Sequence, residues 1–267
     1  MTGGKPDNFL IAVTGKGGVG KTTLAALVIH CLIRGNRRPV LAVDADPNMC
    51  LNLALGVDVG KTVGGVREEA REAAGKGLAT GVAKQQLLEM KIAESLVEGD
   101  DFDLIAMGRP EGPGCYCYSN NVLKSVLGQI AAQYPYVVLD NEAGLENLSR
   151  RLVQRVDLLM IVADPSQQGL ETIRRIHALA VEMEIRFEKL VVVINRVRRD
   201  IRAEQLATIR SATHADDVVI LPDDDEIAEF SEKGTSLLLL SEGNTVVQRL
   251  DALLARYCHT PLHGQGS

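Results

Sequence analysis

Seven short apolar runs rich in β-branched residues punctuate the chain: Phe9 to Val13, Pro39 to Val43, Phe102 to Met107, Tyr136 to Leu139, Leu158 to Ala163, Leu190 to Ile194 and Val218 to Leu221. They are continuous rather than alternating, as strands buried on both faces of a parallel sheet require. Between them the apolar period changes. Leu24, Leu27, Val28, Cys31 and Leu32 fall at helical spacing, which predicts one apolar face of an amphipathic helix that Gly35 ends. Val122, Val126 and Ile130, with Leu123 and Leu127, repeat every four residues and predict a second buried helix face. Alternating strands and helices imply an α/β fold, a mostly parallel β-sheet flanked by helices on both sides with right-handed crossovers. No repeat or linker divides the chain, so residues 1–267 read as a single domain. Gly60 to Gly99 is helix-prone without a clear strand and reads as a helical insertion on one side of the sheet. The small, polar stretch from His259 to Ser267 reads as a frayed end.

Composition narrows the function classes. The 267 residues are 46% hydrophobic and 24% charged, which excludes a disordered, collagen-like or coiled-coil chain. Lys+Arg of 29 against Asp+Glu of 35 gives a net charge of −6, a field that repels polyanions and disfavours nucleic acid as a partner. No apolar run approaches the roughly 18 to 20 residues of a membrane span, and the polar start of the chain carries no secretory signal pattern, so a cytoplasmic, membrane-free protein is expected. The five cysteines are odd in number and irregularly spaced, which predicts reduced thiols rather than a disulfide framework.

The first candidate chemistry follows the first strand. Gly15-Lys16-Gly17-Gly18-Val19-Gly20-Lys21-Thr22-Thr23 satisfies the phosphate-binding pattern G-x-x-x-x-G-K-[ST] between a strand and a helix. Glycines let successive N–H groups surround a triphosphate without Cβ clashes, and the helix N-terminus adds partial positive charge. Lys21 is placed to meet the β- and γ-phosphates of ATP, and the Thr22 hydroxyl to hold Mg²⁺. Gly15, Gly17 and Gly20 also spell the dinucleotide fingerprint, with Asp44 as its ribose acid, but a dinucleotide loop has no use for Lys-Thr-Thr after the third glycine. Lys16 has little room beside its own nucleotide; it either serves another subunit's nucleotide or is a solvated loop lysine. Asp44 and Asp140 end predicted strands on the edge where α/β sheets bind ligands.

The second lies in Arg109-Pro110-Glu111-Gly112-Pro113-Gly114-Cys115-Tyr116-Cys117, a Pro/Gly-rich loop leaving the third run, with a helix expected to begin near Ser119 to Asn121. A helix N-terminus favours thiolate, the metal-binding form. Two thiolates cannot fill a four-coordinate site for Ni²⁺ or Zn²⁺. A two-fold dimer supplies Cys115 and Cys117 twice and completes four sulfurs on its axis. Cys31 reads as core, and Cys50 and Cys258 as inert.

Lys16-Gly17-Gly18-Val19-Gly20-Lys21-Thr22-Thr23 resembles the deviant Walker A motif of the P-loop NTPases (SIMIBI class) that include MinD, ParA, the arsenite-pump ATPase and the nitrogenase iron protein. That resemblance implies that Lys16 crosses a homodimer interface to the partner's phosphates and that Asp44 in Asp44-Ala45-Asp46-Pro47 orients the attacking water. It implies further that Asp140 supports Mg²⁺ through water, that Asn141-Glu142-Ala143-Gly144 forms a second switch, and that Asn195, Arg196 and Pro222 meet the adenine of ATP or ADP. The Cys115/Cys117 pair followed by Asn120-Asn121-Val122-Leu123, with Asp140 to Arg150, resembles the nickel-insertion ATPases that mature carbon monoxide dehydrogenase and acetyl-CoA synthase. This implies a metallochaperone ATPase, dimerising with nucleotide or metal and delivering nickel to such a client. Two alternatives stand beside it: a ParA- or MinD-like positioning ATPase, and an electron-transfer ATPase with an iron–sulfur cluster on the same four cysteines.

Overall fold

A computed structural model describes residues 8–66, 68–69, 82–109, 125–142, 145 and 155–258. Eight strands form one sheet: β1 (Phe9–Gly15), β2 (Val40–Asp44), β3 (Leu96–Val97), β4 (Phe102–Ala106), β5 (Tyr136–Asp140), β6 (Arg155–Ala163), β7 (Arg186–Val197) and β8 (Asp217–Pro222). Their order is β3-β4-β2-β5-β1-β6-β7-β8. Every pairing is parallel except β3 with β4. The expected mostly parallel sheet is therefore present. The two-residue strand β3 is a departure from the all-helical insertion expected between residues 60 and 99; Val97 and Leu96 pair against Leu104 and Ile105 at the open edge, where so short a strand carries no periodic signal.

Burial on both faces explains the continuous apolar runs. Along β1, Leu10 and Ala12 enter one apolar layer, and Ile11 and Val13 enter the other. The first layer is closed by Ile173 and Ile176 of helix Gln167–Glu182, by Ile209 of helix Ala203–Thr213, and by Val126 and Leu127 of the helical stretch 125–131. The second is closed by α1 (Lys21–Arg34) and by the last described helix, Thr245–Tyr257.

The amphipathic reading of α1 is corrected. Leu24 to Leu32 are buried all around the helix, because Leu51–Leu55, the 3₁₀ turn Leu237–Leu239 and Thr245–Tyr257 cover the side turned away from the sheet. The Cys31 thiol reaches the Val247 carbonyl at 3.7 Å, and burial pushes its pKa up, so it is a core residue as expected. Cys258 is likewise buried, with its thiol raised to about 12 by burial, whereas Cys50 is exposed. The final helix starts at Asn244, whose side-chain oxygen accepts from the Val246 and Val247 amides at 2.9 and 3.2 Å.

Enclosure of α1 makes its packing a stability determinant. Leu32→Ala removes a fully buried side chain and is expected to cost about 2 to 5 kcal/mol, read as a fall in the denaturant midpoint at unchanged m-value.

Candidate functional site

Parallel strands bring their C-terminal ends to one edge, and there the chain collects most of its chemistry. β1 runs into the loop that opens α1; β2 ends at Asp44, β5 at Asp140, and β8 at Pro222. Asp44 and Asp140 are register partners on adjacent strands, and Val13 pairs with Asp140 on the other side. Neighbouring parallel strands lie about 4.8 Å apart, so these two carboxylates share one small region below the loop.

The loop geometry answers to its glycines. Gly20 has φ of 91°, a left-handed conformation, and a Cβ there would stand 2.6 Å from the Asn195 side-chain nitrogen. A Cβ on Gly15 would stand 2.3 Å from the Val162 carbonyl oxygen. Lys21 is buried to 7% exposure, and its ammonium donates to the Lys16 carbonyl at 3.3 Å, curled over its own loop. Gly17 and Gly18 are exposed with open space beside them, Val19 is buried, and Thr22 and Thr23 stand in the first turn of α1. The Lys16 side chain is exposed on the rim of an open cavity of ≈ 730 Å³ shared with Gln167, Gln168, Glu171 and Arg175.

The two aspartates are both fully buried but differ in their hydrogen bonds. Asp44 accepts from the Asp46 amide and the Leu51 amide, both at 3.0 Å, so its carboxylate organises the turn between β2 and helix Leu51–Leu55. Burial raises its pKa to about 6, and those backbone bonds oppose the rise. Asp140 is fully buried, and neither of its oxygens accepts a hydrogen bond among the described residues. Burial raises it to about 7, with the neighbouring Thr22 hydroxyl pulling the other way. A buried carboxylate so poorly supplied with donors calls for a cation or a water held by one. Asp140 and Thr22 therefore fit a hard divalent ion such as Mg²⁺, whose ligands are oxygens. Among the described residues no cluster of three His, Cys, Asp or Glu side chains is arranged to hold a transition metal. Cys115 and Cys117 lie outside the described residues.

A second cavity, of ≈ 400 Å³, opens along the first turns of α1. Thr23, Leu24 and Leu27 line it from the helix, with Asn195 and Arg196 from β7, Leu221 and Pro222 from β8, and Asp223 just after it. Asn195 caps no helix; its side-chain amide donates to the Val19 carbonyl at 2.9 Å. Both Asn195 and Arg196 belong to β7, which extends beyond the apolar run to Val197. The sequence alone missed two tethers. The Asn141 amide and side chain both donate to the Val13 carbonyl, at 3.1 and 3.0 Å. Arg109 donates to Asn48 at 2.8 Å, tying the end of the β4 segment to the turn after Asp44. Neither has a local signal, since each partner lies far away in sequence.

Residues 10–237 match the CobQ/CobB/MinD/ParA nucleotide binding domain. The chain belongs to this nucleotide-binding family. It is 42% identical over 246 residues to an uncharacterized ATP-binding protein of Methanocaldococcus jannaschii, covering 92% of this chain and 96% of that one. It is 33% identical over 188 residues to the carbon monoxide dehydrogenase accessory protein CooC of Rhodospirillum rubrum, covering 66% of this chain and 70% of CooC. The fold is that of the septum site-determining protein MinD of Pyrococcus horikoshii, solved with Mg-ADP, at a TM-score of 0.63 and 21% identity over 93% of this chain and 95% of MinD. The matched residues span the loop and both aspartates. No helix among the described residues is long and apolar enough to cross a membrane.

The raised carboxylates give this family member a pH signature. Between the ordinary 3.8 and about 7, folded Asp140 retains a proton that the unfolded chain has released. Stability of the ligand-free protein therefore falls as pH rises through that window. Asp140→Asn is expected to flatten the fall, measured as denaturant midpoints from pH ~4 to ~8.

Proposed function

We propose that this protein is a Mg²⁺-dependent ATPase whose nucleotide state governs dimerisation and, through Cys115 and Cys117, the binding and delivery of nickel to a client enzyme such as carbon monoxide dehydrogenase or acetyl-CoA synthase. The observation that carries the ATPase part is the unpaired, buried Asp140 beside Thr22 beneath a glycine loop. In this reading the amides from Gly15 to Thr23 surround the phosphates, and Lys21 swings from the Lys16 carbonyl onto the β- and γ-phosphates. Thr22 and Asp140 hold Mg²⁺, directly and through water; when bound, Mg²⁺ neutralises charge on the phosphate oxygens. Asp44 orients the attacking water, for which its carboxylate must be ionised. Phosphoryl transfer asks little covalent chemistry of the protein, so positioning and charge do most of the catalysis. Asn195 and Pro222 take the adenine in the cavity of ≈ 400 Å³.

Lys16, exposed on the rim facing helix Gln167–Glu182, reaches the partner's phosphates when two chains close. Closure brings four thiolates together at the two-fold axis, and ADP formation releases them, so metal and nucleotide affinities are reciprocally linked. Nickel, with zinc as a competing occupant, is cargo here. Support for this finer reading is the match to CooC and the Cys115/Cys117 pair. The Arg109 tether to Asn48 supports it too, linking the segment that leads towards those cysteines with the turn at Asp44.

A positioning ATPase of the MinD or ParA kind is the second reading, and one observation favours it. Arg196, Arg198, Arg199 and Arg202 are all exposed around the end of β7; with Arg198 paired to Asp223 and Asp200 among them, they form a basic group with partial neutralisation on a chain of net charge −6. Mixing the protein with Ni²⁺, with and without a non-hydrolysable ATP analogue, separates the two. The metallochaperone reading expects one nickel per nucleotide-bound dimer, lost in the Cys115→Ala/Cys117→Ala variant while nucleotide binding persists. Nickel stoichiometry that ignores the cysteines would exclude it in favour of the positioning ATPase. Lys21→Ala is expected to lower the ATP turnover number by about a hundredfold or more, and Lys16→Ala to abolish ATP-dependent dimer mass in light scattering.

A further inference from the structure

We infer that Arg196, with Asn195, is a positioning residue that sets the shape of the phosphate loop from behind, and so contributes to phosphate binding even for a ligand that has no base. The inference rests on the nucleotide reading above and deepens it. In a regular strand, successive side chains point to opposite faces. β7 breaks that rule: its register against β8 shifts between Ile194 and Val197, and Arg196 has φ of 57°, in the left-handed region. Bulges of this kind re-aim side chains next to functional sites. Here the consequence is that two consecutive residues turn to the same target. Asn195 donates to the Val19 carbonyl at 2.9 Å, and the Arg196 guanidinium donates to the Gly18 carbonyl at 3.2 Å.

A trans peptide holds its N–H opposite its C=O. Fixing the carbonyls of Gly18 and Val19 towards β7 therefore turns the amides of Val19 and Gly20 away from β7, to the side where phosphates bind. Gly20 leaves room for this contact, since a Cβ there would stand 2.6 Å from the Asn195 nitrogen and 3.8 Å from an Arg196 nitrogen. A left-handed arginine is an uncommon conformation for a bulky residue. Its backbone places the guanidinium against the loop, where it donates to the Gly18 carbonyl at the exposed surface.

Calorimetric titration with two probes tests this: magnesium tripolyphosphate, which has no base, and a non-hydrolysable ATP analogue with Mg²⁺. Arg196→Ala is expected to weaken both by a similar factor, about three- to tenfold, the worth of one hydrogen bond. Arg196→Lys keeps a donor and is expected to recover part of the loss for both probes. Weakening confined to the ATP analogue would make Arg196 a base contact and overturn the inference, as would unchanged affinity for both. A wild-type chain that binds neither probe overturns the nucleotide reading and this inference with it.

Discussion

Two buried carboxylates at the mouth of a parallel sheet set the terms for the rest of the molecule. Asp44 and Asp140 sit at matched positions on neighbouring strands, so the sheet's own register forces two acids into one poorly solvated region. The protein resolves the two cases differently. Asp44 is satisfied by backbone amides of the turn it organises, while Asp140 is left without a donor among the described residues. An unpaired buried carboxylate is costly unless protonated or met by a cation. A cation bound there would neutralise the carboxylate and couple its charge state to ligand occupancy.

Stiffness around that region comes from the way α1 is enclosed. A helix covered on one side only can tilt. With the sheet beneath it and Leu51–Leu55, Leu237–Leu239 and Thr245–Tyr257 above it, α1 is held from several directions. Its N-terminus, and the loop that precedes it, inherit that fixity. The turn after Asp44 is tied to the same site by the Asp44 carboxylate and, through Asn48, to Arg109.

Much of this was legible beforehand for identifiable reasons. A strand buried on both faces must be apolar throughout, so β1, β2, β5 and β6 announced themselves. The loop from Gly15 to Thr23 is local: its function depends on residue types at fixed spacing, and these survive in one dimension. Asp44 and Asp140 were visible because each follows an apolar run directly. The burial of α1 on all sides was hidden, because the elements that cover its side away from the sheet, Leu51–Leu55, Leu237–Leu239 and Thr245–Tyr257, lie elsewhere in the sequence. Likewise β3 is too short to show a period, and the roles of Asn141 and Arg109 depend on partners distant in sequence.

The amino-acid order by itself determined the parallel α/β architecture, the phosphate-binding loop and the placement of acids at strand ends, since hydrophobic period and glycine spacing are local properties. Tertiary structure decided which acid is satisfied and which is not. It also decided that α1 is core rather than surface, and that a bulge in β7 turns Asn195 and Arg196 together onto the loop. Those outcomes depend on register and on the desolvation imposed by neighbouring elements, which arise only when strands far apart in the chain are laid side by side.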